Sequence, residues 1–121
     1  MAWEFVTIAR ANPHVWLWPS AAVDPGLLAR LIGGAVFEVG SAHDAVELHH
    51  AFPGLAAGAS GANGPGRSDG AGCLKASRPD WHPALVSAAV LEALADSGWE
   101  IVYSSLVGGR EETRMGRRTV S

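Results

Sequence analysis

The segment His82 to Ser105, HPALVSAAVLEALADSGWEIVYSS, constrains the fold more than any other. Leu85, Val86, Ala89, Val90 and Leu94 recur at helical spacing, and Gly98 follows where a left-handed residue ends a helix without steric cost. The period then drops to two, with Trp99, Ile101 and Tyr103 alternating against Glu100, Val102 and Ser104. A helix that runs straight into a half-buried strand must lay its apolar stripe on a sheet. The spacing therefore predicts a two-layer arrangement of helix on sheet, closed by a Gly108-Gly109 turn and a last polar strand.

Upstream, WEFVTIAR reads as a strand with Trp3, Phe5 and Thr7 on one face and Glu4, Val6 and Ile8 on the other. Asn12-Pro13 marks a turn into HVWLWP, where Trp16 and Trp18 share a face, so a hairpin is expected. Asp24 then caps a helix, Pro25 occupies its first turn, Leu27, Leu28, Leu31 and Ile32 form its apolar stripe, and Gly33-Gly34 ends it. AVFEVG and AVELHHAF read as two further strands joined by the polar turn SAHD. Residues 53–72 are rich in Gly and Ala and predict a flexible insertion, because such a sequence buries too little apolar surface to offset the entropy of ordering. CLKAS adds a short strand. The whole chain is expected to be one α+β domain over residues 1–121. Its core would be a five- to six-stranded, mainly antiparallel sheet with two helices packed on one face.

Composition bounds the function. With 48% hydrophobic and 17% charged residues the chain is too apolar to be disordered, and no apolar run approaches the roughly 20 residues that span a bilayer. A single cysteine, Cys73, excludes an internal disulfide framework, and Glu4 stands where a secretion signal would be basic; both favour a cytoplasmic protein. A net charge of −3 gives no general attraction to nucleic acid or to anionic lipid. Arg110, Arg114, Arg117 and Arg118 cluster near the C-terminus, but no aromatic residue interleaves with them in the sequence, which argues against a single-stranded nucleic-acid partner.

Catalytic chemistry has few candidates. HDAVELHH is the one cluster with metal-ligating residue types. Were it helical, His43, Glu47 and His50 would share a face; its β-favouring residues instead predict a strand, and no HExxH motif is present. Ser104, Ser105, His82 and Asp80 are hydrolase residue types without a nucleophile-elbow motif. Cys73 precedes Lys75 but has no defined base. No cofactor is implied. Five tryptophans are many for 121 residues. Trp3, Trp81 and Trp99 are expected between sheet and helices. Trp16 and Trp18 are expected on core or on an interface, where an apolar second face of the sheet would be covered by another subunit.

The order of these elements resembles the GTP cyclohydrolase I feedback regulatory protein family. FVTIAR, DPGLLARLIGG and VLEALADSGWEIVYSSLVGG are similar to that family's opening strand, its first helix and its second helix-to-strand unit. Gly108 and Gly109 match its turn before the last strand, while Arg110 replaces a family residue there. WEF and LADSGWEIV also resemble a small uncharacterised bacterial family, which carries no functional implication. The first resemblance implies a non-catalytic homo-oligomer that docks on a partner enzyme and senses phenylalanine or a pterin. Gly108, Gly109, Arg110, Arg114, Trp16 and Trp18 are then the expected ligand- or partner-binding residues. A small metal- or histidine-dependent enzyme using His43, Glu47 and His50, and a scaffold without ligand, are the alternatives.

Overall fold

A computed structural model describes residues 2–18, 23–52 and 72–119. Strand β1 (Ala2–Ala11) turns through a cis Asn12-Pro13 peptide into β2 (His14–Trp18). Helix α1 (Pro25–Leu31), β3 (Val36–Val39) and helix α2 (Ala42–Ala51) follow. Then come β4 (Leu74–Ser77), helix α3 (Pro83–Asp96), β5 (Glu100–Val107) and β6 (Arg110–Thr119). The six strands form one sheet in the order β3-β4-β2-β1-β6-β5, and every pairing is antiparallel. The Gly/Ala-rich insertion expected at 53–72 lies, apart from Gly72, outside the described residues. No helix among the described residues is long and apolar enough to cross a membrane.

Alternation along the strands sorts side chains onto two faces. Val6 and Ile8 of β1, Val15 and Leu17 of β2, Leu74 and Ala76 of β4 and Met115 of β6 pack against α1 and α3. Leu28 and Ile32 supply the contact at α1, and Val86, Val90, Ala93 and Leu94 supply it from α3. Each fully buried aliphatic side chain contributes about 1.5–3 kcal/mol, so this face holds most of the stability. The α1 contact stripe is narrower than the sequence suggested, because Leu27 and Leu31 remain exposed. The Asp24 cap is as expected: its carboxylate accepts from the amides of Gly26 and Leu27.

The second face differs from expectation. AVELHHAF is not a strand, and SAHD is not a hairpin turn. Ser41 and Asp44 form a reciprocal capping box: the Ser41 hydroxyl accepts from the Asp44 amide at 3.2 Å, and the Asp44 carboxylate accepts from the Ser41 amide at 2.9 Å. Capping nucleates α2, and helical spacing then lets Leu48 and Phe52 bury themselves beside Ala9, Trp16 and Cys73. Tertiary burial overrides the weak β preference of Val46. The hairpin partner of β3 is therefore β4, from CLKAS, reached after α2 rather than before it.

Two further expectations need correction. A bulge at Val102 shifts the β5 register between Ile101 and Tyr103. Ile101 therefore faces α3's side of the sheet, while Tyr103 sits opposite Arg114 on the second face, with Glu100. Of the three tryptophans assigned to the packing between sheet and helices, only Trp99 is buried. Trp3 and Trp81 are 46% and 36% exposed. Trp16 is buried by α2 of its own chain, not by a second subunit.

Candidate functional site

Register and packing gather two hairpin turns and one helix end at one corner of the sheet. Ala11, the last residue of β1, pairs with His14 on one side and Arg110 on the other. His14, Ala11 and Arg110 therefore form one cross-strand row, with His14 and Arg110 roughly 10 Å apart at the backbone. The β5–β6 turn, in which Gly108 and Gly109 adopt φ of +60° and +79°, closes the row at its far end. Because Leu48 and Phe52 anchor α2 over Trp16, the last turns of that helix lie beside the same corner.

The result is a cleft of about 590 Å³ lined by Asn12, Pro13, His14, Trp16, Glu47, His50, Gly108, Gly109 and Arg110, with Ala11 and Ala51. Its size suits a small molecule. Glu47 bridges two imidazoles: one carboxylate oxygen contacts Nε2 of His43, and the other lies 3.6 Å from Nε2 of His14. His14 stacks on Trp16, with ring centroids 5.1 Å apart and planes 25° from parallel. Trp16 is 1% exposed, and its indole Nε1 has no hydrogen-bond partner among the described residues. A buried donor left unsatisfied costs about 1–3 kcal/mol. Arg110 is exposed and takes part in no ion pair among the described residues; the carboxylate next to it in sequence, Glu111, points to the other face and pairs with Arg10 at 3.3 Å. The cleft thus offers a guanidinium and two imidazoles against one carboxylate.

Of the residues singled out from sequence, Trp16, Gly108, Gly109, Arg110, Glu47 and His50 meet here. Three lie elsewhere. Trp18 stands two rows from Ala11 on the same face, opposite Thr7 and edge-on to His49 at 5.8 Å. Arg114 sits in that same row, between Thr7 and Tyr103. His43 touches Glu47 but is not part of the lining. No three His, Cys, Asp or Glu side chains among the described residues are arranged to hold a metal ion. The hydrolase residue types do not assemble either. Nδ1 of His82 caps α3 by accepting from the Ala84 amide at 3.0 Å, and Ser104 faces the Thr113 hydroxyl at 3.5 Å.

Sequence reasoning missed His14, although alternation in HVWLW already put it on the Trp16 face. What the sequence did not signal was that α2 would bring Glu47 to it. A second, larger groove runs past Trp3, Glu4, Gly98 and Arg117. Of its two cations, Arg117 pairs with Glu4 and lies 4.6 Å over the Trp99 ring, and Arg118 lies 5.7 Å over the Trp3 ring. No protein-family model, curated protein or solved structure matches the chain.

Proposed function

We propose that this chain is a regulatory or binding subunit without catalytic chemistry of its own, and that it takes a small molecule bearing an anionic group in the cleft between α2 and the two hairpin turns. One observation carries the reading. Arg110, His14 and His50 converge from three separate elements around Trp16, whose indole N–H is buried and unsatisfied. Charge-assisted hydrogen bonds from a guanidinium suit a carboxylate or phosphate. Gly108 and Gly109 let the turn backbone approach a ligand closely. A partner enzyme would read the occupied state through this corner of the sheet. The family resemblance supplies two effectors to try, phenylalanine and a reduced pterin.

The test is titration calorimetry of the full chain with phenylalanine, a reduced pterin and inorganic phosphate, followed by the indole N–H resonance of Trp16. Saturable binding at one site per chain, a shift of that resonance and a loss of at least tenfold in affinity in Arg110→Ala would support the proposal. No saturable binding to any of the three, or binding that leaves Trp16 and Arg110→Ala unaffected, would refute it.

A histidine-dependent enzyme is the second reading, and the helical form of residues 42–51 favours it. A carboxylate beside an imidazole at the edge of a cleft, here 3.6 Å apart, is the pairing from which a general base is oriented. Zinc titration followed by elemental analysis checks its metal-dependent form. One tightly held ion per chain, lost in His50→Ala, would bring that form forward.

A further inference from the structure

Helix α3 has fourteen residues and α1 has seven, so α1 lies beside only part of its neighbour. Ala89 and Ala93, one turn apart on α3, are too short to fill the space between the two helices. The result is a groove of about 350 Å³ in the layer opposite α2. Ile32 and Ala93, both buried, form its floor, and Leu31, Trp81 and Ala89 form its apolar walls. Leu31 is left 48% exposed there. Glu92 and Asp96 complete the lining, so the groove runs from just ahead of α3 to its last residue, about 20 Å. One end is clamped. The Arg78 guanidinium lies 4.0 Å over the Trp81 ring, while its Nε donates to the Gly33 carbonyl at 2.7 Å. The approach to α3 is thereby tied to the end of α1.

We propose that this groove docks an amphipathic helix of a partner protein. Apolar side chains of that helix pack on Leu31, Trp81 and Ala89, and a pair of lysines or arginines meets Glu92 and Asp96. Charge carries the choice of occupant. Glu92 and Asp96 are the only charged residues of α3, both are exposed, and neither has an ion-pair partner among the described residues. Their placement opposes the stability of their own helix. Like charges four residues apart repel, and a carboxylate in the last turn faces the negative end of the helix dipole. No basic residue in the last turn of α3 offsets them, and Arg30, the single charged residue of α1, is not in the lining. Two carboxylates that the fold does not use, at the rim of an apolar groove, call for two cations one helical turn apart on another chain.

Other occupants fit less well. No strand residue lines the groove, so an extended peptide finds no free backbone ladder there, whereas a helix brings its own hydrogen bonds. The acidic rim and the net charge of −3 repel nucleic acid and anionic lipid. A second copy of this chain offers no complementary helix among the described residues: α1 carries one arginine, the basic residues of α2 are all histidines, and α3 has no cation. The groove lies on the other side of the sheet from the cleft beside α2, and its docking does not depend on a ligand there.

An NMR titration of the full chain with a synthetic amphipathic helix of leucine and lysine tests the proposal. A second peptide carries glutamate in place of every lysine. We expect saturable shifts at the Trp81 indole N–H and at the amides of Ala89, Glu92 and Asp96 with the lysine peptide, and none with the glutamate peptide. The double variant Glu92→Gln, Asp96→Asn should bind the lysine peptide at least tenfold more weakly. It should melt no earlier than the parent chain, because the two charges disfavour their helix. Glu92→Lys combined with Asp96→Lys should transfer the preference to the glutamate peptide, which a merely structural role for either residue would not do. Absence of saturable shifts, shifts that map to another surface, or binding undiminished in the neutral variant would each overturn the proposal. So would an earlier melt of that variant, which would mean that the charges serve the fold. An equal response to spermidine would mark a polyamine site and overturn it as well.

Discussion

Gly98 carries a φ of +96° and has no heavy atom within 4 Å of where a Cβ would stand. The cost of a side chain there is therefore conformational and not a clash. Gly98→Val should lower stability by roughly 1–2 kcal/mol, seen as an earlier urea midpoint with unchanged slope. An unchanged midpoint would show that the helix-to-strand junction tolerates another backbone path. Cys73 illustrates the opposite case, where the neighbours decide. It is fully buried under α2, burial pushes its thiol above the ordinary value, and the Asp44 carboxylate adds to that shift against the smaller opposing effect of Lys75. The thiolate is the reactive form. We expect Cys73 to resist a disulfide-exchange reagent in the folded protein and to react on unfolding in urea. Rapid labelling of the native chain would contradict that burial.

Helix α2 is the element on which the candidate site depends, and its start is its weak point. The Ser41 amide, donating to the Asp44 carboxylate, holds that carboxyl below the usual range; the Ser41 hydroxyl and Lys75 act in the same direction, and partial burial opposes them. A carboxyl whose folded pKa is lowered stabilises the fold fully above its unfolded value, near 4, and loses that contribution as the pH falls through the folded value. Thermal melts between pH 6 and pH 2 should show this loss, and Asp44→Asn should remove it. Ser41→Ala should cost about 1 kcal/mol at neutral pH. It should also broaden the Trp16 resonances, because Leu48 and Phe52 hold α2 over that ring. If Ser41→Ala melts like the parent chain, the capping box does not determine where α2 begins.

At the scale of the molecule, one sheet carries two separate apolar clusters among the described residues. The larger, under α1 and α3, joins residues from the first third of the chain to its last quarter. The smaller, under α2, contains both Phe52 and Cys73, the residues that bracket the Gly/Ala-rich segment. The two ends of that segment are thus already close in the fold. Deleting residues 55–70 leaves 53, 54, 71 and 72 between Phe52 and Cys73, five Cα steps that reach at most about 18 Å, enough to join two residues of one cluster. The shortened chain should keep its circular dichroism spectrum and melting midpoint; aggregation or early melting would mean that the segment contributes to the core.

Local patterning was enough to determine most of the elements. The 3.6-residue period of α3, the two-residue period of β1 and β2, the Asp24-Pro25 cap and the paired glycines are physics of neighbouring residues, so they could be read directly. The antiparallel α+β class followed from the order of those elements. Tertiary contact decided the rest. Ala42–Ala51 is ambiguous in isolation and becomes a helix because Leu48 and Phe52 find an apolar bed on Trp16 and Ala9. The bulge that turns Tyr103 to the second face depends on its pairing with β6, which no local period encodes. His14, Glu47 and Arg110 are each separated by more than thirty positions in the chain and meet only because β1 pairs with both β2 and β6 while α2 packs across the corner. A site assembled from residues so far apart has no sequence period to betray it; the fold alone brings it together.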